Sequence, residues 1–175
     1  IAGRVYSAIY AVNGLVGSCV GMLLSELEPY LGESAPSGQR EQALAVLNGV
    51  IGDYLEQEDN PLAIRMQFRV DGKLQTDALL AQRIRESKGR LLLLVHGSCM
   101  NDLQWLQPNG HDHGAALMED SDLSPIYLHY KSGLHISDNG KLLASHLNRL
   151  AGLSQHETLA LHIVAHSMGG LVVRS

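Results

Sequence analysis

Two rhythms of apolar residues run along this chain, and each change of rhythm marks a new element. Over residues 41–58, Leu44, Leu47, Ile51 and Leu55 fall three or four positions apart, the spacing of one helix face, and Asn60-Pro61 ends the run. Over residues 62–70 the rhythm becomes strict alternation. Leu62, Ile64, Met66, Phe68 and Val70 take one side, and Ala63, Arg65, Gln67 and Arg69 take the other. This predicts a half-buried strand, and the arginines point to a sheet edge. Asp71-Gly72 reads as a turn and residues 76–86 as a short helix. Residues 90–96 (RLLLLVH) are apolar almost without interruption, as a central parallel strand requires. A helix over 111–120, a strand over 124–130 and a helix over 137–150 follow. The last of these carries Leu142, Leu143, Leu147 and Leu150 on one side. A second buried parallel strand over 159–165 and a helix opening at 169–173 close the series. Strand and helix alternate from residue 90 onward, so the expected class is α/β, with a parallel sheet and right-handed crossovers.

The first third has a different character. Residues 5–24 carry no charge over twenty positions, long enough for a membrane span. Ser7, Asn13, Ser18, Gly14, Gly17 and Gly21 interrupt that run, and a buried or lid-like helix is preferred. Peripheral membrane contact through this stretch stays open. Residues 31–38 (LGESAPSG) read as a loop. The expected organisation is an N-terminal helical extension over 1–60 and a core over 61–175.

The chemistry gathers at the last strand-to-helix junction. Ser167 has Ala165 two positions before it and Gly169 and Gly170 two and three after it. This is the G-x-S-x-G nucleophile turn with alanine in the first glycine position, between a predicted strand and a predicted helix. Small flanking residues suit a serine held in a strained turn against a neighbouring strand and helix. Ser167 is therefore the candidate nucleophile. The backbone N–H of Met168 is one candidate oxyanion donor. The second should come from the loop after the 90–96 strand, where His96-Gly97-Ser98-Cys99 offers the N–H of Ser98 first and of Cys99 next. Gly97 and Gly169 give the backbone room, His96 braces the loop, and His166 packs in the turn. Trp105, in the same loop region as Asn101 and Asp102, either lines a substrate pocket or anchors the loop. Residues 130–133 and 138–140 are assigned structure rather than catalysis.

Nine histidines are candidates for the base. None stands downstream of Ser167, where the Ser, acid, His order of this chemistry would put it. His111-Asp112-His113 is the nearest thing to a metal pattern and lacks the further ligands a site needs, so neither metal nor cofactor is expected. Composition adds limits rather than direction. With 45% hydrophobic and 18% charged residues the chain reads as globular, and a net charge of −5 argues against nucleic-acid binding. Cys19 and Cys99 form no framework. The compartment is not fixed; the cytoplasm is favoured, with membrane association left open.

Together LVHGSCMNDLQW, HDHGAALMED, YLHYKSGLHISDNGKLLASHLNRL and IVAHSMGGLVVRS resemble the α/β-hydrolase superfamily, and more narrowly bacterial lipase-like proteins related to the GPI inositol-deacylase family. The resemblance covers about residues 40–175. It departs at Ala165, where glycine is usual, and at Lys131, where asparagine is expected. It implies a serine esterase with Ser167 as nucleophile, a lipid or small-molecule ester as substrate, and a downstream Asp and His absent from this sequence. The opening Ile1 and the stop at Ser175 fit the front part of such a hydrolase, inactive by itself. An acyltransferase or thioesterase on the same turn, and a non-catalytic interaction module, are the rival expectations.

Overall fold

The computed structural model describes Ser25 and residues 37–107, 109–119, 121–154 and 158–175. The uncharged stretch 5–24, and residues 31–36 of the expected loop, lie outside the described residues. In chain order the elements are α1 (Ser37–Gln57), β1 (Gln67–Val70), β2 (Lys73–Leu74), α2 (Asp77–Glu86), β3 (Arg90–Val95), a 3-10 turn (Asp102–Trp105), α3 (His113–Glu119), β4 (Ser124–His129), α4 (Ile136–Gly152), β5 (Ala160–Ala165) and α5 (Met168–Arg174). The five strands form one mixed sheet in the order β2-β1-β4-β3-β5. β3 runs parallel to β4 and to β5, with Val95 level with both Leu128 and Ala165. β1 is antiparallel to β4 and to β2. The class is thus α/β, with helices flanking a sheet whose centre is parallel.

The leucine run of β3 is continuous because both of its faces are covered. Leu91, Leu93 and Val95 face a core built with Phe68, Leu80, Ile84, Ile126, Leu128, Leu143, Leu150 and Val172, which brings in α2, α4 and α5. Leu92 and Leu94 face the other way, onto Tyr127 with Trp105 and Leu123 against them. All five residues are at most 2% exposed. Each buried leucine contributes on the order of 2 kcal/mol.

Four expectations are corrected. The strand predicted over 62–70 is confined to 67–70, because the buried Asn48 side chain of α1 takes the backbone ahead of it. Its Oδ1 accepts from Ile64 N at 2.8 Å, and its Nδ2 donates to Leu62 O at 2.8 Å. β1 is not the edge; the two-residue β2 lies outside it. Arg69 instead reaches Glu41 at 3.0 Å and Asp102 at 3.5 Å. β5, expected to be buried, has a neighbour on one side only among the described residues, and Ile163 and Val164 are each 37% exposed. Ser37 and Gly38, expected in a loop, begin α1.

α1 bends at Ile51 and buries Ala43, Leu44, Ala45, Leu47 and Leu55. Its contacts cross residue 60 into the sheet and its loops. Among the described residues no helix is long and apolar enough to cross a membrane.

Candidate active site

The parallel register brings the ends of β3 and β5 level, so the loops that follow them meet. His166 N donates to Val95 O at 2.9 Å, which carries the pairing one residue past β5. Ser167 then adopts φ 52 and ψ −122, a conformation that L-residues rarely accept. Strain of this kind costs about 1–3 kcal/mol and persists only where surrounding structure imposes it. Gly169 N to His166 O at 2.9 Å and Gly170 N to Ser167 O at 3.0 Å tighten the turn into α5. The Ser167 side chain is exposed and makes no capping bond to α5. Its hydroxyl is not spent on holding its own helix.

Two glycines permit the close approach. A Cβ on Gly97 would lie 3.2 Å from Ser167 Cβ and 2.9 Å from His166 Nδ1. A Cβ on Gly169 would lie 2.5 Å from His96 O and 2.8 Å from Val95 O. The loop after β3 and the turn after β5 are therefore in van der Waals contact.

The loop after β3 is fixed from inside. His96 is fully buried and stacks on Tyr130, with ring centroids 4.3 Å apart. Burial above all holds its imidazole down to about 4, so the ring is neutral at pH 7. In that state Nδ1–H donates to Gly97 O at 2.9 Å. The N–H of a trans peptide points opposite to its C=O. With Gly97 O turned inward to His96, the N–H of Ser98 in the same peptide is turned away from the ring. Tyr130 Oη donates to His96 O at 2.8 Å, and burial pushes that phenol well above its ordinary range. Cys99 has φ 56, and its N–H donates to Ser132 Oγ at 2.9 Å. That amide is committed, whereas the N–H of Ser98, a residue that is itself exposed, is not tied to Ser132.

Other predicted residues lie elsewhere. Trp105 packs on the Leu92, Leu94 and Tyr127 side of the sheet and meets His113 edge-on at 5.9 Å. That is the packing of a loop anchor. His111 and His113 sit with ring centroids 4.9 Å apart, while Asp112 between them accepts from Tyr127 Oη at 2.7 Å and from Ala115 N at 2.8 Å. Among the described residues no group of three or more His, Cys, Asp or Glu side chains is gathered as for a metal. His146 faces Leu142 O and Met66 O, and His162 is exposed on β5. His156 lies outside the described residues.

Sequence reasoning passed over a buried charge cluster. His129 Nδ1 lies 2.7 Å from Asp102 Oδ1, and Arg69 bridges Asp102 to Glu41. Burial works to raise the Asp102 carboxyl, but the His129 hydrogen bond and the His129 and Arg69 charges outweigh it and hold the group below its ordinary value. Ser132 and Asn48 were missed as well. Their partners lie 33 and 16 positions away, a separation at which no local spacing signals a contact. A cavity of about 760 Å³ opens beside the 130–133 turn, lined by Met66, Lys131, Leu134, Asn139, Leu142 and His146 among others. Ser167 is not among its walls. Comparison of the chain with protein-family models, with curated proteins and with solved structures finds no match.

Proposed function

We propose that this chain carries the nucleophile and oxyanion half of a serine esterase of α/β-hydrolase type, acting on carboxylic esters of lipid-like character. The observation that carries the reading is the close approach of the strained, exposed Ser167 to Gly97, whose carbonyl is held by His96. Oγ of Ser167 adds to the ester carbonyl carbon while a histidine base takes its proton. The N–H groups of Met168 and Ser98 receive the oxyanion. Each such donor is worth roughly 3 kcal/mol in the transition state. The alcohol leaves with the proton, giving an acyl-serine, and water then releases the acid and restores Oγ–H. Following the resemblance, the base and its orienting acid are assigned to residues outside this sequence. The His129–Asp102 pair is not proposed as their substitute, since it is buried and engaged with Arg69.

The test uses the full-length protein with 4-nitrophenyl esters of rising acyl length, beside Ser167→Ala. The reading expects hydrolysis that depends on Ser167 and improves with acyl length. Acyl transfer to an added alcohol or thiol in preference to water would move the assignment to an acyltransferase. A folded full-length protein without any Ser167-dependent turnover would reject the reading.

A further inference from the structure

We infer that Ser132 is a positioning residue for the oxyanion loop, a role that rests on the esterase reading above. Two peptide planes flank the Cα of Ser98. The first, Gly97–Ser98, is held by His96 through Gly97 O. The second, Ser98–Cys99, is held by Ser132, whose Oγ accepts from Cys99 N at 2.9 Å. With both planes fixed, the Ser98 N–H keeps one direction. Cys99 needs such a hold because its φ of 56 is unfavourable for a residue with a Cβ.

The Ser132 hydroxyl can do this because it is itself fixed and shielded from water. It is 5% exposed. On one side of it, Lys131 O accepts from Asn139 Nδ2 at 2.9 Å. On the other, Gly133 N donates to Asn48 O of α1 at 2.9 Å. The Lys131 ammonium, 3% exposed as a side chain, is paired with Glu56, also on α1. Behind the loop stands Gly49 of α1, where a Cβ would lie 2.9 Å from Cys99 Cα and closer still to its Sγ. The loop is thus caught between the 130–133 turn and α1, and Ser132 supplies the directional contact. A hydrogen bond to a neutral hydroxyl is weak in water and firmer in a site closed to it.

The experiment compares wild type, Ser132→Ala and Ser132→Thr in the full-length protein. It reads kcat and KM on 4-nitrophenyl butyrate, affinity for an alkyl trifluoromethyl ketone, and the melting temperature. The ketone forms an adduct whose oxyanion draws on the same amides. Ser132→Ala is expected to lower kcat about 10- to 100-fold, less than outright loss of a donor. KM should stay within about twofold, since the contact acts on the transition state. Ketone affinity should fall by the same factor as kcat, and Ser132→Thr, which keeps the hydroxyl, should recover most of both. Leu150→Ala, a change in the core face of α4, serves as the stability control: it should lower the melting temperature and leave kcat near wild type. If Ser132→Ala does not fold, Ser132→Cys replaces it with a near-isosteric weak acceptor. Wild-type kcat in Ser132→Ala, or an equal loss in Leu150→Ala, overturns the inference while leaving the esterase reading intact. A wild type without Ser167-dependent turnover overturns both.

Discussion

The loops after β3 and β5 touch, yet they are held in opposite ways. The β3 loop grows from a strand buried on both faces and is tied down by His96, Tyr130 and Ser132, with α1 behind it. The β5 turn grows from a strand with one sheet neighbour among the described residues, and its serine is exposed at positive φ. The difference has a chemical meaning under the esterase reading. Donors that receive developing charge act best when they need no reorganisation. A nucleophile must stand clear of local hydrogen bonds, and strain keeps it there. Two positions on, Gly169 packs so closely on the Val95 and His96 carbonyls that a Cβ there would lie 2.8 Å and 2.5 Å from them.

The largest expected effect breaks the comparison at the serine. Ser167→Ala in the full-length protein should lower ester hydrolysis at least about 1,000-fold with stability little changed. Ser167→Gly should be equally inactive yet more stable by about 1 kcal/mol, because glycine accepts this backbone without strain. Denaturant unfolding of the two variants checks this, and a less stable Ser167→Gly would show the turn is unstrained. Next comes the seat of Gly169. Gly169→Ala places a Cβ 2.5 Å from His96 O and should cost about 3 kcal/mol, read as an equal loss in unfolding free energy.

Acid should act on the β3 side. His96 titrates at about 4 when folded and near 6.5 when unfolded, so between these values only the unfolded chain takes up the proton. Stability then falls as pH drops from 6.5 to 4, by up to roughly 3 kcal/mol, and this group adds nothing further below that window. The depressed Asp102 carboxyl contributes stability above its ordinary value of 3.8 that is lost as pH falls through its lower folded value, so its loss is confined to more acid solution. Denaturation curves across pH 4–7 should be flatter for His96→Phe than for wild type.

Much of this was legible in the residues themselves. The leucines of residues 91–94 announced a strand covered on both faces, and the small residues around Ser167 announced a turn in tight contact with its neighbours. Periodicity reports what faces a core, so it located the parallel strands and α4 closely. It could not report who satisfies a backbone. Residues 62–66 alternate like a strand but give their amide and carbonyl to Asn48. Arg69 looked like an edge marker because its partners, Glu41 and Asp102, stand 28 and 33 positions away. The exposure of β5 depends on which strands pair beside it, and composition carries no record of that. At the candidate site, Ser167, Gly97 and Gly169 were readable from local steric need. Ser132, placed in a turn assigned to structure, was not.

The most direct measurement is to react the full-length protein with a fluorophosphonate and map the modified peptide by mass spectrometry. The account predicts one covalent adduct, on Ser167, blocked by prior incubation with a long-chain ester. An adduct confined to another residue, or a folded protein that takes up no reagent, would contradict it.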